Sequence, residues 1–249
     1  MSNALRTEQL TRRFGALEAV CDVSLALPRG ARHALIGPNG AGKTTLINLL
    51  TGALPPTSGD VYLGDERITH LRQHPRVKRG LTRTFQINTL FGGLTVLESV
   101  LLAILEREGR AAEWRRPVAR YAEDVEEAMD LLATLRLADD ADRRTATLPY
   151  GRQRLVEIAL ALATRPRILL LDEPAAGIPA AESGEVFGAI ADLPPSVTVL
   201  FIEHDMGLVF RFAQRITVLA GGRILAEGEP EEIRRDERVR AVYLGREDG

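Results

Sequence analysis

Cysteine is nearly absent from this 249-residue chain: Cys21 stands alone, which rules out an internal disulfide framework and suits a reducing cytosol. Its plainest reading is a small buried hydrophobe at a strand edge. Charge imbalance is missing too. Lysine and arginine number 32 against 34 acids, a net charge of −2, which argues against bulk nucleic acid as the main partner. Long apolar runs are also lacking. The longest apolar region, Leu155 to Leu171, contains Glu157 and is cut by Arg165-Pro166-Arg167, so no transmembrane helix is expected. Met1 to Gly15 carries charges and no apolar stretch, so no secretory leader is expected. Any work at a membrane would need something else to hold the chain there. No internal repeat or low-complexity tract stands out. With 45% apolar and 27% charged residues, an ordinary soluble core is expected, in one large domain or one with an inserted lobe.

What is present is a glycine-rich octapeptide. Gly37-Pro38-Asn39-Gly40-Ala41-Gly42-Lys43-Thr44 fits G-x-x-x-x-G-K-[ST] at every position. Ala34-Leu35-Ile36 before it reads as a buried strand, and Thr45 to Leu50 after it begins an apolar helix. Glycines let the backbone wrap until successive N–H groups point at phosphate oxygens, and the helix N-terminus adds partial positive charge. Lys43 would reach the β- and γ-phosphates, and the Thr44 hydroxyl would ligate Mg²⁺. A turn that merely caps a helix would leave Lys-Thr in register unexplained. The octapeptide binds a nucleoside triphosphate.

The rest of the chain frames that loop. Residues 4 to 36 alternate apolar and polar positions, with breaks at Gly15 and Pro28-Arg29-Gly30, and read as an antiparallel sheet. Phe14 could stack on an adenine, although on spacing alone a core aromatic ending a strand is favoured. Asp60 to Leu63 is another short strand. Thr95 to about Ala146 is helical, with Leu97, Val100, Leu101 and Ile104 on one face. Ala111 to Arg120, containing Trp114 and Pro117, reads as a solvated loop or helix end. Periodicity resumes from Tyr121 to Leu137 through Val125, Ala128, Met129 and Leu132. This strand-free region, approximately 92–160, is an inserted helical subdomain within one domain spanning 1–249. Leu155 to Ala163 is an apolar helix. Ile168 to Leu171 is a continuous apolar run that fits a central parallel strand. Val197 to Ile202 repeats it, Ile216 to Ala220 and Gly222 to Glu227 form a hairpin, and Glu229 to Leu244 is helical. The fold class is α/β: a phosphate-loop core with an N-terminal antiparallel subdomain.

Polar clusters close both buried runs. Hydrolysis of a γ-phosphoryl group needs charge neutralisation, an oriented water and a group that senses the phosphate. Asp172 is placed to hold Mg²⁺ through its water shell. Glu173, on the opposite side of the strand end, can act as general base. His204, one strand later, can touch the γ-phosphate and hold Glu173 in line.

In their order, the phosphate loop, Gln86, Leu148 to Gln153, Ile168 to Glu173 and His204 resemble an ATP-binding-cassette (ABC) ATPase. Several strings are similar to the cytosolic ATPase subunits of bacterial branched-chain amino acid importers. These include Gly80 to Gln86, Leu94 to Glu98, Leu148 to Gly151, Asp172 to Gly177, Ile202 to Met206 and Tyr243-Leu244-Gly245. The resemblance implies Phe14 as the adenine platform, Gln86 as Mg²⁺ ligand and permease sensor, and Tyr150-Gly151 as the element acting in trans on a second cassette's ATP. It also implies a groove beside Gln86, towards Leu90 and Phe91, that receives a permease helix. The expected place is the cytoplasmic face of a bacterial plasma membrane. Partners would be permease subunits, a second ATPase subunit and, indirectly, an extracytoplasmic binding protein, with no nucleic acid. An exporter or lipid-extraction ATPase is the nearest alternative, a soluble ABC protein of repair or translation the next. Pro149 stands where the family commonly has Ser, Arg152 where Gln is common, and Pro179 where Asp or Asn is usual. The proline at 149 reads as a trait of the subgroup, whereas Pro179 and Arg152 suggest pairing with a different paralogue. Replacing Lys43 by Ala should abolish nucleotide binding or nearly so, measurable by titration with a fluorescent ATP analogue.

Overall fold

The computed structural model describes residues 2–84, 90–110 and 121–244. The chain divides into two compact units: Met1–Arg83 with Arg167–Glu173 and Pro194–Gly249, and Thr84–Pro166 with Pro174–Leu193. In the first unit, β1 (Asn3–Phe14), β2 (Leu17–Val23) and β3 (Ala26–Pro28) precede β4 (Arg32–Ile36), α1 (Lys43–Thr51), β5 (Ser58–Leu63), β6 (Glu66–Arg67), α2 (Gln73–Lys78) and β7 (Leu81–Arg83). The expected antiparallel sheet is there, in the order β2-β1-β5-β6, with β3 also on β1. Its inward positions, among them Leu5, Leu10, Val20, Leu27 and Val61, are buried in one core with Leu46, Leu49 and Leu50 of α1. Each such side chain contributes roughly 1.5–3 kcal/mol on leaving water. β4 is different. All five of its residues are buried, and it leaves the antiparallel sheet for a second one.

The second unit holds α3 (Val96–Arg107), α4 (Ala122–Thr134), α5 (Tyr150–Ala163) and α6 (Ala180–Ala191). A reciprocal cap sets the start of α3: Glu98 N–H donates to Thr95 Oγ1 at 3.1 Å, and Thr95 N–H donates to Glu98 Oε2 at 2.7 Å. Its buried residues are Val96, Ser99, Val100, Ile104 and Leu105, while Leu97 and Leu101 are only half-buried. The face is therefore rotated from the one expected, because α3 is covered by both α4 and α5. On α4, Ala128 and Leu132 are buried as expected and Val125 and Met129 partly so. Residues 111–120, expected as a loop or helix end, lie outside the described residues.

The first unit resumes with β8 (Ile168–Asp172), β9 (Thr198–Ile202), α7 (Met206–Phe212), β10 (Arg215–Ala220), β11 (Arg223–Gly228), α8 (Pro230–Arg235) and α9 (Glu237–Leu244). Six strands form the order β11-β10-β4-β9-β8-β7. All neighbours are parallel except the terminal hairpin β10–β11. β8 and β9 are buried at every position, as a strand covered on both faces must be. The C-terminal ends of β4, β8 and β9 thus lie side by side, where ligands bind in open α/β sheets.

One buried base stands within this sheet. His33 of β4 is fully buried, its Nε2 2.7 Å from Thr217 Oγ1, and Nδ1 has no hydrogen-bond partner among the described residues. Thr217 donates on to Glu227, which also pairs with Arg215. Burial pushes the His33 pKa from 6.5 down to about 4, against the pull of Glu227. The unfolded chain then binds a proton that the native state refuses, so stability falls as pH drops from about 6.5 to about 4. Thermal melts of His33→Leu should show a shallower loss than the wild type across that window, and parallel slopes would contradict the assignment.

Candidate functional site

Loop 37–42 joins β4 to α1, and backbone close approach demands two of its glycines, Gly37 and Gly42. Gly42 caps α1 with φ 99°, and a Cβ there would lie 2.3 Å from the Ala19 carbonyl oxygen. At Gly37 the same atom would lie 2.2 Å from the carbonyl oxygen of Leu219. Both obstacles are backbone, so no side-chain rotation relieves them. The loop is pinned further. Gly222 N–H donates to Ala41 O at 3.0 Å, and Cys21 N–H donates to Gly222 O at 2.8 Å. Lys43 is buried, and its ammonium donates to the carbonyls of Gly37 at 2.6 Å and Pro38 at 3.1 Å. No acidic side chain sits in the first turn of α1, so the positive end of its dipole stays uncompensated there.

At the neighbouring strand ends the two acids diverge. Asp172 is buried, and its Oδ2 accepts from Arg83 Nη2 at 2.5 Å. Arg83 also donates through Nη1 to Asn48 Oδ1 of α1 at 2.8 Å. Glu173 adopts φ 48°, a left-handed conformation that costs a residue with a side chain roughly 1–3 kcal/mol. Its N–H donates to Ile202 O at 3.0 Å, and its Oε1 lies 3.0 Å from His204 Nε2. Asp172 thus meets Arg83 while Glu173, past the end of β8, meets His204. Glu173 and His204 open on a cleft of about 540 Å³ that is also lined by 39–45, Phe14, Leu17 to Ala19, Ile202, Gly221 and Gly222. Phe14 is 43% exposed, with the Arg12 guanidinium 4.6 Å from its ring centre, so it is a surface aromatic rather than a core one.

Comparison with known proteins decides the family. An ABC transporter family model matches residues 20–176, and a branched-chain amino acid ATP-binding cassette transporter model matches 223–249. The chain is 43% identical over 248 residues to the high-affinity branched-chain amino acid transport ATP-binding protein BraF of Pseudomonas aeruginosa, covering 97% of each. The LivG protein of Escherichia coli K12, with the same description, is 42% identical over 250 residues, again with 97% of each covered. This chain belongs to the ABC transporter ATPases. Among solved structures it resembles the ADP conformation of MJ1267, an ATP-binding cassette of an ABC transporter. The TM-score is 0.86 at 32% identity, covering 98% of this chain and 100% of that one. The dimeric cassette MJ0796 has a TM-score of 0.73 at 25% identity, with 91% and 98% covered.

The remaining expected residues of this ABC ATPase lie elsewhere. Tyr150 and Gly151 begin α5 in the second unit, Tyr150 exposed and Gly151 buried. A Cβ on Gly177 would lie 3.3 Å from the Tyr150 ring. Pro149 and Pro179 are the N-caps of α5 and α6, and neither provides a side-chain cap. Arg152 binds the Arg136 carbonyl at 2.5 Å, Glu185 at 3.2 Å and Asp140 at 3.4 Å, so the added charge is locally compensated. Gln86 lies outside the described residues. Among the described residues, no helix is long and apolar enough to cross a membrane.

Sequence reasoning missed Arg83, although it stands in the run Gly80 to Gln86. Nothing in its spacing points to an acid 89 positions away. Thr44 and Asp172 offer the hard oxygen donors that suit Mg²⁺, so the residues present fit that ion. Asp172 is buried and Arg83 half-buried, with side chains 5% and 14% exposed, so removing the arginine leaves a buried carboxylate without its countercharge. Arg83→Leu should lower the unfolding free energy by about 3 kcal/mol in urea titration. Adding Asp172→Leu should recover part of that loss.

Proposed function

We propose that this ATPase powers import of branched-chain or similar amino acids, as a peripheral subunit on the cytoplasmic face of a bacterial membrane. The observation that carries this reading is likeness to BraF and LivG along 97% of the chain, and the separate match at 223–249 supports it. Two cassettes, of which the second could be a paralogue, would sit beneath permease subunits, with an extracytoplasmic binding protein delivering the substrate. The dimeric cassette MJ0796 supports pairing.

Within the cleft the adenine stacks on Phe14 and the triphosphate lies along 37–45. Backbone N–H groups and Lys43 neutralise its charge. Thr44, Asp172 and Gln86 would hold Mg²⁺, which would supply charge neutralisation for phosphoryl transfer. Glu173 accepts a proton from the water whose oxygen attacks the γ-phosphorus as the bond to the β-phosphate oxygen breaks. His204 keeps the Glu173 carboxylate aimed and can donate to the γ-phosphate. Tyr150 and Gly151 of the opposite cassette complete the site, and Gln86 reports its closure to the permease.

Glu173→Gln should retain ATP binding while turnover falls about 100-fold or more. Near-normal hydrolysis would remove Glu173 from the base role. Tagged Glu173→Gln drawn from native membranes with ATP should bring a many-helix permease and a second cassette. Recovery of soluble partners alone would overturn the transport reading and leave the ATPase intact.

A further inference from the structure

Glu18 lines the nucleotide cleft together with Phe14 and the phosphate loop, and no step above uses it. Glu18 of β2 pairs directly across from Arg13 of β1, one rung in from the Phe14–Leu17 pair at the hairpin tip. The next residue, Ala19, brings its carbonyl oxygen against Gly42 of the phosphate loop. From Leu17 to Ala19 the strand advances roughly 6.5 Å. Glu18 therefore stands between the aromatic end of the cleft and its phosphate end. In a nucleotide, the sugar joins base to phosphate across that interval.

The chemistry of the position fits a sugar. Oε1 of Glu18 lies 2.6 Å from Arg13 Nη2, and Oε2 lies 3.8 Å from Arg223 Nη2. The Cys21 thiol and Arg13 hold its carboxyl below the ordinary carboxylate range, so it is an ionised, acceptor-only group. A carboxylate has about four lone-pair sites; Arg13 and the Cys21 thiol take two, and Arg223 at 3.8 Å lies beyond hydrogen-bond distance, which leaves room for two donors. The two hydroxyls of a ribose are such donors. A bare carboxylate beside a triphosphate would repel it, and the flanking arginines offset that charge.

We infer that Glu18 is a specificity-determining residue that accepts hydrogen bonds from the ribose hydroxyls, so this ATPase favours ribonucleotides over their deoxy analogues. The inference rests on the nucleotide reading of the cleft. Acidic side chains elsewhere recognise ribose hydroxyls in the same way.

Affinities of the full chain for ATP, 2′-deoxyATP and 3′-deoxyATP, measured by calorimetry, test it. Wild type should bind ATP about 10-fold more tightly than at least one deoxy analogue, the effect of one hydrogen bond to a charged acceptor. In Glu18→Leu the three should bind alike, whereas Glu18→Gln, whose amide oxygen still accepts, should keep part of the preference. An unchanged preference in a folded Glu18→Leu, or none in the wild type, overturns the proposal while ATP binding itself persists. Loss of ATP binding by the wild type would overturn the nucleotide site as well.

Discussion

The carbonyl oxygen of Ala19 lies where a side chain on Gly42 would begin, 2.3 Å from its Cβ position. That approach brings the tip of the β1–β2 hairpin against the N-terminus of α1. Leu219 makes the same demand on Gly37, and Gly222 closes the contact by donating to Ala41. Three backbone segments from distant parts of the chain thus meet at one loop with no side chain between them. Phe14, the loop and Glu173 face one cleft because those segments cannot move apart without losing buried hydrogen bonds.

Charge is handled differently on the two acids. Asp172 is buried and answered by Arg83, which also holds Asn48 of the phosphate-loop helix. Such a pair is weak evidence for stability, since desolvation offsets its attraction, but it fixes geometry across β7, β8 and α1. Glu173 is tied instead by its own backbone, held left-handed between the Ile202 carbonyl and the His204 ring. The strain persists because β8 and β9 pair residue by residue up to Asp172 and Ile202.

The second unit answers a different constraint. Its α5 and α6 both begin at prolines, which supply neither a side-chain acceptor nor an N–H. Pro149 keeps an extended conformation of φ −53° and ψ 152° and still accepts through its carbonyl from Gln153 at 3.0 Å. Gln153 adds a side-chain bond to the Leu148 carbonyl at 2.9 Å. Arg152 then ties the first turn of α5 to Glu185 of α6. The turn around Tyr150 is held by Arg152 and Gln153 rather than by a cap.

The phosphate loop was legible because its spacing is local: strand, glycines, lysine and helix lie within twenty residues, 32 to 51. Buried strands were legible for a similar reason, since runs such as Ile168 to Leu171 are apolar at every position. Periodicity placed α3 and the Val100 and Ile104 part of its face, but not Leu97 and Leu101, because two covering helices rather than one decide which stripe is buried. The sequence by itself determined the phosphate-loop motif with its flanking strand and helix, the buried runs of β8 and β9 and the family likeness, but not β6, α2, α6 or α7. Only the tertiary structure decided that Arg83 answers Asp172, that Glu173 meets His204 across 31 positions, and that Phe14 is exposed beside Glu18. Those pairings depend on strand order and register in two sheets. Such long-range partners leave no periodic trace along the chain.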